Sequence, residues 1–182
     1  MGDSHLQKDF LEAVICYAID MNQKVELQAA GESDEAVLSE LLYEYQKELL
    51  PYTKAPESAI KSYKYLPNYF TDSDRAAFFI MVNGSIGGFV LINKHTIIEK
   101  DAHSIAEFYV KPAFRKSGVG QKAAQLVFKK FPGKWEVAQI AANKPAINFW
   151  RETISAITGG KYNEVVLDTN SWQGPVQTFT IT

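Results

Sequence analysis

Apolar positions along this chain fall into two rhythms. From residue 76 onward, short continuous apolar runs are separated by turn residues. Ala76–Val82 (A-A-F-F-I-M-V) and Ile86–Lys94 are runs of strand length. Asn83-Gly84 between them is a hairpin turn signal. Gly87 and Gly88 weaken the second run, which predicts a bulge or a close backbone approach there. Ile105–Val110 is a third strand, stopped by Pro112, which has no amide N–H. Trp135–Ala142 is a fourth. Val165–Leu167 and Val176–Ile181 close the chain as an antiparallel pair around a turn at Asn170–Pro175. Ahead of all these, Lys24–Ala30 reads as a short first strand with Val25, Leu27 and Ala29 on one face.

The other rhythm repeats every three to four residues. Val37, Leu38, Leu41, Leu42, Tyr45 and Leu49 predict a helix, with Ser33 as its N-cap and an end near Pro51. Pro56–Phe70 reads as a further, irregular helical segment broken at Pro67. Val119, Ala123, Leu126 and Val127 predict a helix ended by Pro132-Gly133, and Ile147, Trp150, Ile154 and Ile157 predict one from Asn143. Leu6, Phe10, Val14, Tyr17, Ala18 and Met21 predict an extra helix in an N-terminal segment, 1–23, ahead of a domain over 24–182. A helix lies between the strands at Ile105–Val110 and Trp135–Ala142, so these two run parallel through a right-handed crossover. The expected fold is α/β (α+β): a mixed, mostly antiparallel, twisted sheet with helices on both faces.

Composition narrows the class. The 182 residues suffice for one domain with a sizeable core, and 46% apolar with 22% charged residues is ordinary for a soluble globular protein. The net charge of −2 supplies no global basic field, so neither nucleic acid nor a membrane surface is expected as a partner. Cys16 is the sole cysteine, which excludes an intramolecular disulfide and suits a cytoplasmic location. No apolar run reaches the roughly 18 residues of a membrane span. His5, His95 and His103 show no metal-ligand spacing, so no metal is expected.

The turn after Pro112 carries the candidate chemistry. It reads Arg115-Lys116-Ser117-Gly118-Val119-Gly120 and opens a helix. Two glycines spaced by one residue let backbone approach a ligand without an intervening Cβ. Amides from Ser117 to Gln121 lack partners at a helix start, and with the helix dipole they form an anion site suited to a pyrophosphate. Arg115, Lys116 and Lys122 add positive charge. The loop lacks a P-loop ending and does not fit G-x-G-x-x-G. By itself, Gly-x-Gly before a helix also fits a tight connector.

Context separates those readings. Val110, Arg115 and Gly118-Val119-Gly120 at a strand-to-helix junction resemble the acetyl-CoA motif of the GNAT N-acetyltransferases, R-x-x-G-x-G/A after a strand ending in Val. Asn143-Lys-Pro-Ala146-Ile-Asn-Phe149-Trp150 is similar to that family's N-x-x-A-x-x-F-Y segment. Ser104–Val110, Phe131–Val137 and Asn143–Arg151 resemble an uncharacterised bacterial branch of it. The resemblance implies the GNAT fold, with strands splayed at the cofactor cleft. It implies acetyl-CoA as co-substrate and a primary amine, of a small molecule or a peptide, as acceptor. Cofactor contacts then fall on Tyr109, Val110, Arg115, Lys116, Ser117, Gly118, Val119, Gly120, Gln121, Asn143 and Phe149. The extra N-terminal helix would cover a sheet edge or a homodimer face, or would be a loosely packed appendage.

Glu107 interrupts an apolar strand three residues before Val110, which costs free energy unless the carboxylate is exposed or partnered. The resemblance implies that it is the base taking a proton from the amine. An ion pair or a solvated edge residue would also account for it. Asn143 serves equally as a helix N-cap and as a cofactor contact. Tyr43, Tyr45, Tyr52, Tyr63, Tyr65 and Tyr69 would line an acceptor pocket or simply pack the core. The departure from the family pattern is Trp150, where many relatives carry a Tyr that protonates the leaving thiolate. That departure keeps a non-catalytic acyl-CoA-binding or sensing domain as the alternative.

Overall fold

The computed structural model describes residues 23–182, so the expected helix at Leu6–Met21 lies outside the described residues. The chain builds strands β1 (Val25–Ala29), β2 (Ala76–Val82), β3 (Ser85–Asn93), β4 (His103–Val110), β5 (Gly133–Ala138), β6 (Tyr162–Asp168) and β7 (Gln173–Ile181). Helices are α1 (Glu35–Thr53), α2 (Asn68–Thr71), α3 (Val119–Lys130) and α4 (Lys144–Thr158). One seven-stranded sheet has the order β1-β2-β3-β4-β5-β7-β6. Every neighbouring pair is antiparallel except β4 and β5.

Helices cover both faces because each strand alternates its apolar side chains between two cores. On one face Leu38, Leu41 and Leu42 of α1 pack on Ala77, Phe79, Phe89, Leu91 and Tyr109. On the other, Ala124, Val127 and Phe128 of α3 and Trp150 and Ile154 of α4 pack on Phe78, Val90, Ile105, Trp135 and Phe179. Trp135 is fully buried, and its indole N–H donates to Phe131 O at 2.8 Å.

Three irregularities in the sheet aim the site. Asn83 and Gly84 both have positive φ, 49° and 82°, as the tight β2–β3 turn requires. The β2–β3 register then slips opposite Gly87, and a Cβ on Gly88 would lie 2.0 Å from Tyr109 O. The glycine pair therefore supplies both a bulge and a close approach to the end of β4. Within β4 itself, Leu91 pairs with Glu107 but Ile92 pairs with Ile105, leaving Ala106 as an extra residue. This bulge rotates Glu107 off the face that Ile105 occupies and onto the α1 face.

Several element ends differ from expectation. Ser33 does not cap α1. It sits in a 3₁₀ turn (Glu32–Asp34) whose Gly31 N–H is held by Asp34 Oδ2 at 3.0 Å, because an acidic side chain there closes the turn on itself. Helix α1 passes through Pro51 to Thr53 and ends where Lys54 adopts φ 55°. Pro67 opens α2 rather than breaking a helix, since its missing N–H costs nothing at a helix start. Strand β5 stops at Ala138, and the chain then bends toward α4 while staying tied to β7 through Gln139 and Ala141 amides.

Candidate active site

Strands β4 and β5 share only two residue pairs, His103 with Trp135 and Ser104 with Glu136. Beyond them the strands part. On its other side β4 stays paired to β3 as far as Gly88–Val110. Lys111 N–H donates to Gly87 O at 2.8 Å, which makes Gly88–Val110 a non-hydrogen-bonded antiparallel pair. Val110 N–H and C=O therefore point away from β3, into the gap. The gap belongs to a cleft of about 660 Å³. Its wall combines Tyr45, Glu48, Leu49 and Tyr52 of α1, Phe108, Tyr109 and Val110 of β4, and the Arg115–Gln121 turn. Asn143, Phe149, Trp150 and Glu152 of the α4 region complete it.

The turn folds as its glycines demand. Lys116 and Gly118 both adopt left-handed φ, 61° and 77°, and Gly118 caps α3. The first helical bond runs from Lys122 N to Gly118 O, so the amides of Val119, Gly120 and Gln121 are not consumed within the helix. A Cβ on Gly118 would meet nothing within 4 Å, whereas one on Gly120 would lie 3.0 Å from Phe149 Cε2. Gly120 thus lets the helix start lie directly against the Phe149 ring, which stacks on Phe108 at 5.8 Å.

The structure sorts the candidate residues. Gly118, Gly120, Gln121, Lys116, Arg115, Tyr109, Val110, Asn143 and Phe149 all reach the cleft wall. Val119 turns its side chain into the core at 0% exposure, and Ser117 Oγ donates to Phe114 O at 2.9 Å, so these two can offer only their backbone. Lys122 turns back toward the first strand and donates to Gln23 O at 3.5 Å. Arg115 is a strut. Its Nε donates to Val110 O at 2.7 Å, its Nη2 pairs with Glu48 Oε2 at 2.6 Å, and its guanidinium covers the Tyr109 ring. Asn143 Oδ1 accepts from Ala146 N at 3.1 Å as an N-cap while the residue also lines the cleft.

Glu107 is half-buried on the α1 face of the sheet. Burial pushes its carboxyl up to about 7, although Tyr45 and Tyr63 donate hydroxyl hydrogen bonds to the anion and act in the opposite direction. Tyr69 lies next in line, with its ring 6.3 Å from that of Tyr63, and its hydroxyl accepts from Asn93 Nδ2 at 3.2 Å. Of the six tyrosines, Tyr45 and Tyr52 line the cleft, Tyr63 serves Glu107, Tyr69 is core, and Tyr43 and Tyr65 are exposed. Trp150 is 5% exposed, packed against Phe108 at 5.1 Å, and belongs to the cleft wall. Glu48 and Glu152 line the cleft without any advance signal, because nothing local distinguishes them from solvated helix glutamates.

The Acetyltransferase (GNAT) family model matches residues 39–153, and the chain belongs to this family. The fold is shared with solved acetyltransferases of low sequence identity. An acetyltransferase from Thermus thermophilus superposes with a TM-score of 0.64 at 10% identity, over 87% of this chain and 97% of that one. A spermidine N-acetyltransferase from Vibrio cholerae, in complex with CoA and spermine, gives 0.59 at 11% over 86% and 95%. An aminoglycoside acetyltransferase in complex with coenzyme A and kanamycin gives 0.62 at 18%, also over 86% and 95%. No curated protein sequence matches the chain.

Proposed function

We propose that this chain transfers an acetyl group from acetyl-CoA to a primary amine by direct attack. The observation that carries the reading is the gap between β4 and β5, walled by Val110 backbone that no strand pairs and ending at the free amides of Val119–Gln121. Those amides, with the positive end of α3, would hold a pyrophosphate. Phe149 and Phe108 offer apolar contact to the pantetheine arm, and Val110 N–H stands where it can polarise a thioester carbonyl. Glu107 would take the amine proton. Glu152 on the cleft wall suits a cationic acceptor, whereas Glu48 is already paired with Arg115.

Two measurements test this. Calorimetry should show acetyl-CoA binding, and CoA release should be stimulated by an amine from a panel of spermine, kanamycin and a lysine peptide. Spermine and kanamycin are chosen because relatives of this fold hold them. Tight acetyl-CoA binding without release by any amine would favour an acyl-CoA sensor, the reading that Trp150 in place of Tyr supports. Arg115→Ala removes the strut on Val110 and one charge near the anion site. It should weaken acetyl-CoA binding by about 1–3 kcal/mol, read as the calorimetric Kd at low salt. An unchanged Kd would confine Arg115 to its pairing with Glu48.

A further inference from the structure

The sheet ends on β6, and this edge differs from the one at β1. Strand β1 has five residues and bears the exposed Lys24–Glu26 ion pair at 3.0 Å, the kind of charge that keeps an edge from pairing. Strand β6 has seven residues in unbroken register with β7, without proline, glycine or lysine. Its Val165 and Val166 are 46% and 67% exposed. The phase of the ladder identifies the open backbone groups. Thr169 N–H donates to Trp172 O at 2.9 Å, so that pair is hydrogen-bonded and the pairs alternate from it. Val166 then falls opposite Pro175 in a non-hydrogen-bonded pair, as a residue without an N–H demands. On the far side of β7, Gln139 and Ala141 amides take Pro175 O and Gln173 O, in the same phase. The N–H and C=O groups of Glu164, Val166 and Asp168 therefore point outward. Among the described residues no strand pairs with them.

We propose that β6 pairs antiparallel with β6 of a second copy of this chain, about a two-fold axis at Val165. Outward groups must bond to outward groups, so the register turns on what faces Glu164. Glu164 or Asp168 there would set two carboxylates across the join, and Tyr162 there would pair only half of the strand. Val166 there keeps the acids apart and uses the whole strand, with Tyr162 opposite Asp168 and Val165 opposite Val165. Charge favours the same register. Arg151 of α4 donates to Glu164 Oε2 at 2.9 Å. Asp168 of the second copy falls diagonal to Glu164 on that face, within the field of the Arg151 guanidinium. The contact is isologous and uses up the β6 edge of both copies, so assembly stops at a dimer. The segment ahead of residue 23 is a poorer occupant, because Gln23 lies beside Ser117 and Lys122 at the β1 end of the sheet. No residue of β6 lines the cleft, so the pairing stands apart from the transferase reading.

Sedimentation velocity of the full chain over a range of concentrations should show twice the chain mass. Val166→Lys puts a charge on the exposed edge, and Val166→Pro removes an outward N–H without touching the β7 ladder. Each should return the mass to that of one chain, with the far-UV circular dichroism unchanged. A pair of cysteine variants in a Cys16→Ser background reads the register. Val165→Cys should give a disulfide-linked dimer under mild oxidation, because residues facing each other in a non-hydrogen-bonded pair have Cα atoms about 4.5 Å apart, within disulfide reach. Asn163→Cys lies on the same face but opposite Leu167, and should cross-link at least about tenfold more slowly. A parent that stays a single chain at every concentration overturns the proposal. So does a dimer that survives both Val166 variants, since its interface lies elsewhere. Equal cross-linking of the two cysteine variants also overturns it, because the strands then do not meet at Val165.

Discussion

Glu107→Gln is expected to lower kcat by about 10²–10⁴-fold, the usual worth of a general base, while the acetyl-CoA Kd stays constant. The substitution keeps the shape and an acceptor for the tyrosine hydroxyls but removes the proton-accepting charge. The pH profile carries a second signature. With the carboxyl near 7, the parent rate should rise with pH through that value, because below it Glu107 is already protonated. Glu107→Gln should lose this limb. Stability runs the opposite way. A carboxyl whose pKa is raised on folding is bound to its proton more tightly in the folded state. Its contribution is therefore lost as pH rises from the unfolded value of about 4.5 to about 7. Gln carries no such cost, so the variant should melt no lower than the parent at pH 8, and a slow rate there is not a folding defect. Normal turnover by the variant would remove Glu107 from the mechanism.

Gly120→Val should weaken acetyl-CoA binding about 10²–10⁴-fold. A side chain here comes within 3.0 Å of Phe149 and pushes the ring from the helix start, so a ligand can no longer settle on the amides. Two charge-assisted contacts of about 1.5–3 kcal/mol each are then lost. Gly118→Ala should be milder. Its Cβ projects into open space, and the cost is the strain of a left-handed backbone, of order 1–3 kcal/mol. Calorimetry of both variants ranks them. A Gly120→Val protein that binds like the parent would move the pyrophosphate away from this turn.

The sheet and its helices were legible because continuous apolar runs of strand length mark β2 and β3, a 3.6-residue period marks α3 and α4, and Gly87-Gly88 advertised the irregularity that the structure shows. The aim of Glu107 was not legible. Plain alternation from Ile105 puts residue 107 on the α3–α4 face, and only the extra residue at Ala106 turns it toward α1. Glu136 makes the same point. It too interrupts an apolar strand, but its carboxylate is consumed by the Ile97, Ile98 and Glu99 amides at 2.5–2.9 Å. Local sequence cannot separate these two glutamates, because the groups that answer them arrive from distant parts of the chain. Ser33 and Pro67 misled for a smaller reason: a capping residue or a proline serves whichever short element its neighbours build, here a 3₁₀ turn and a four-residue helix.

The two-rung contact between β4 and β5 has a mechanical consequence. It divides the sheet into a four-stranded plate, β1 to β4, and a three-stranded plate, β5 to β7, joined at a narrow spine. The plates diverge from that spine like the leaves of a book. A molecule lying between them and bonding to both becomes a set of supplementary rungs. Under the proposed function, a bound acetyl-CoA would be a crossbeam as well as a donor. At one hundred times its Kd it would add about 2.7 kcal/mol to the stability of the folded chain, concentrated where the sheet is least tied.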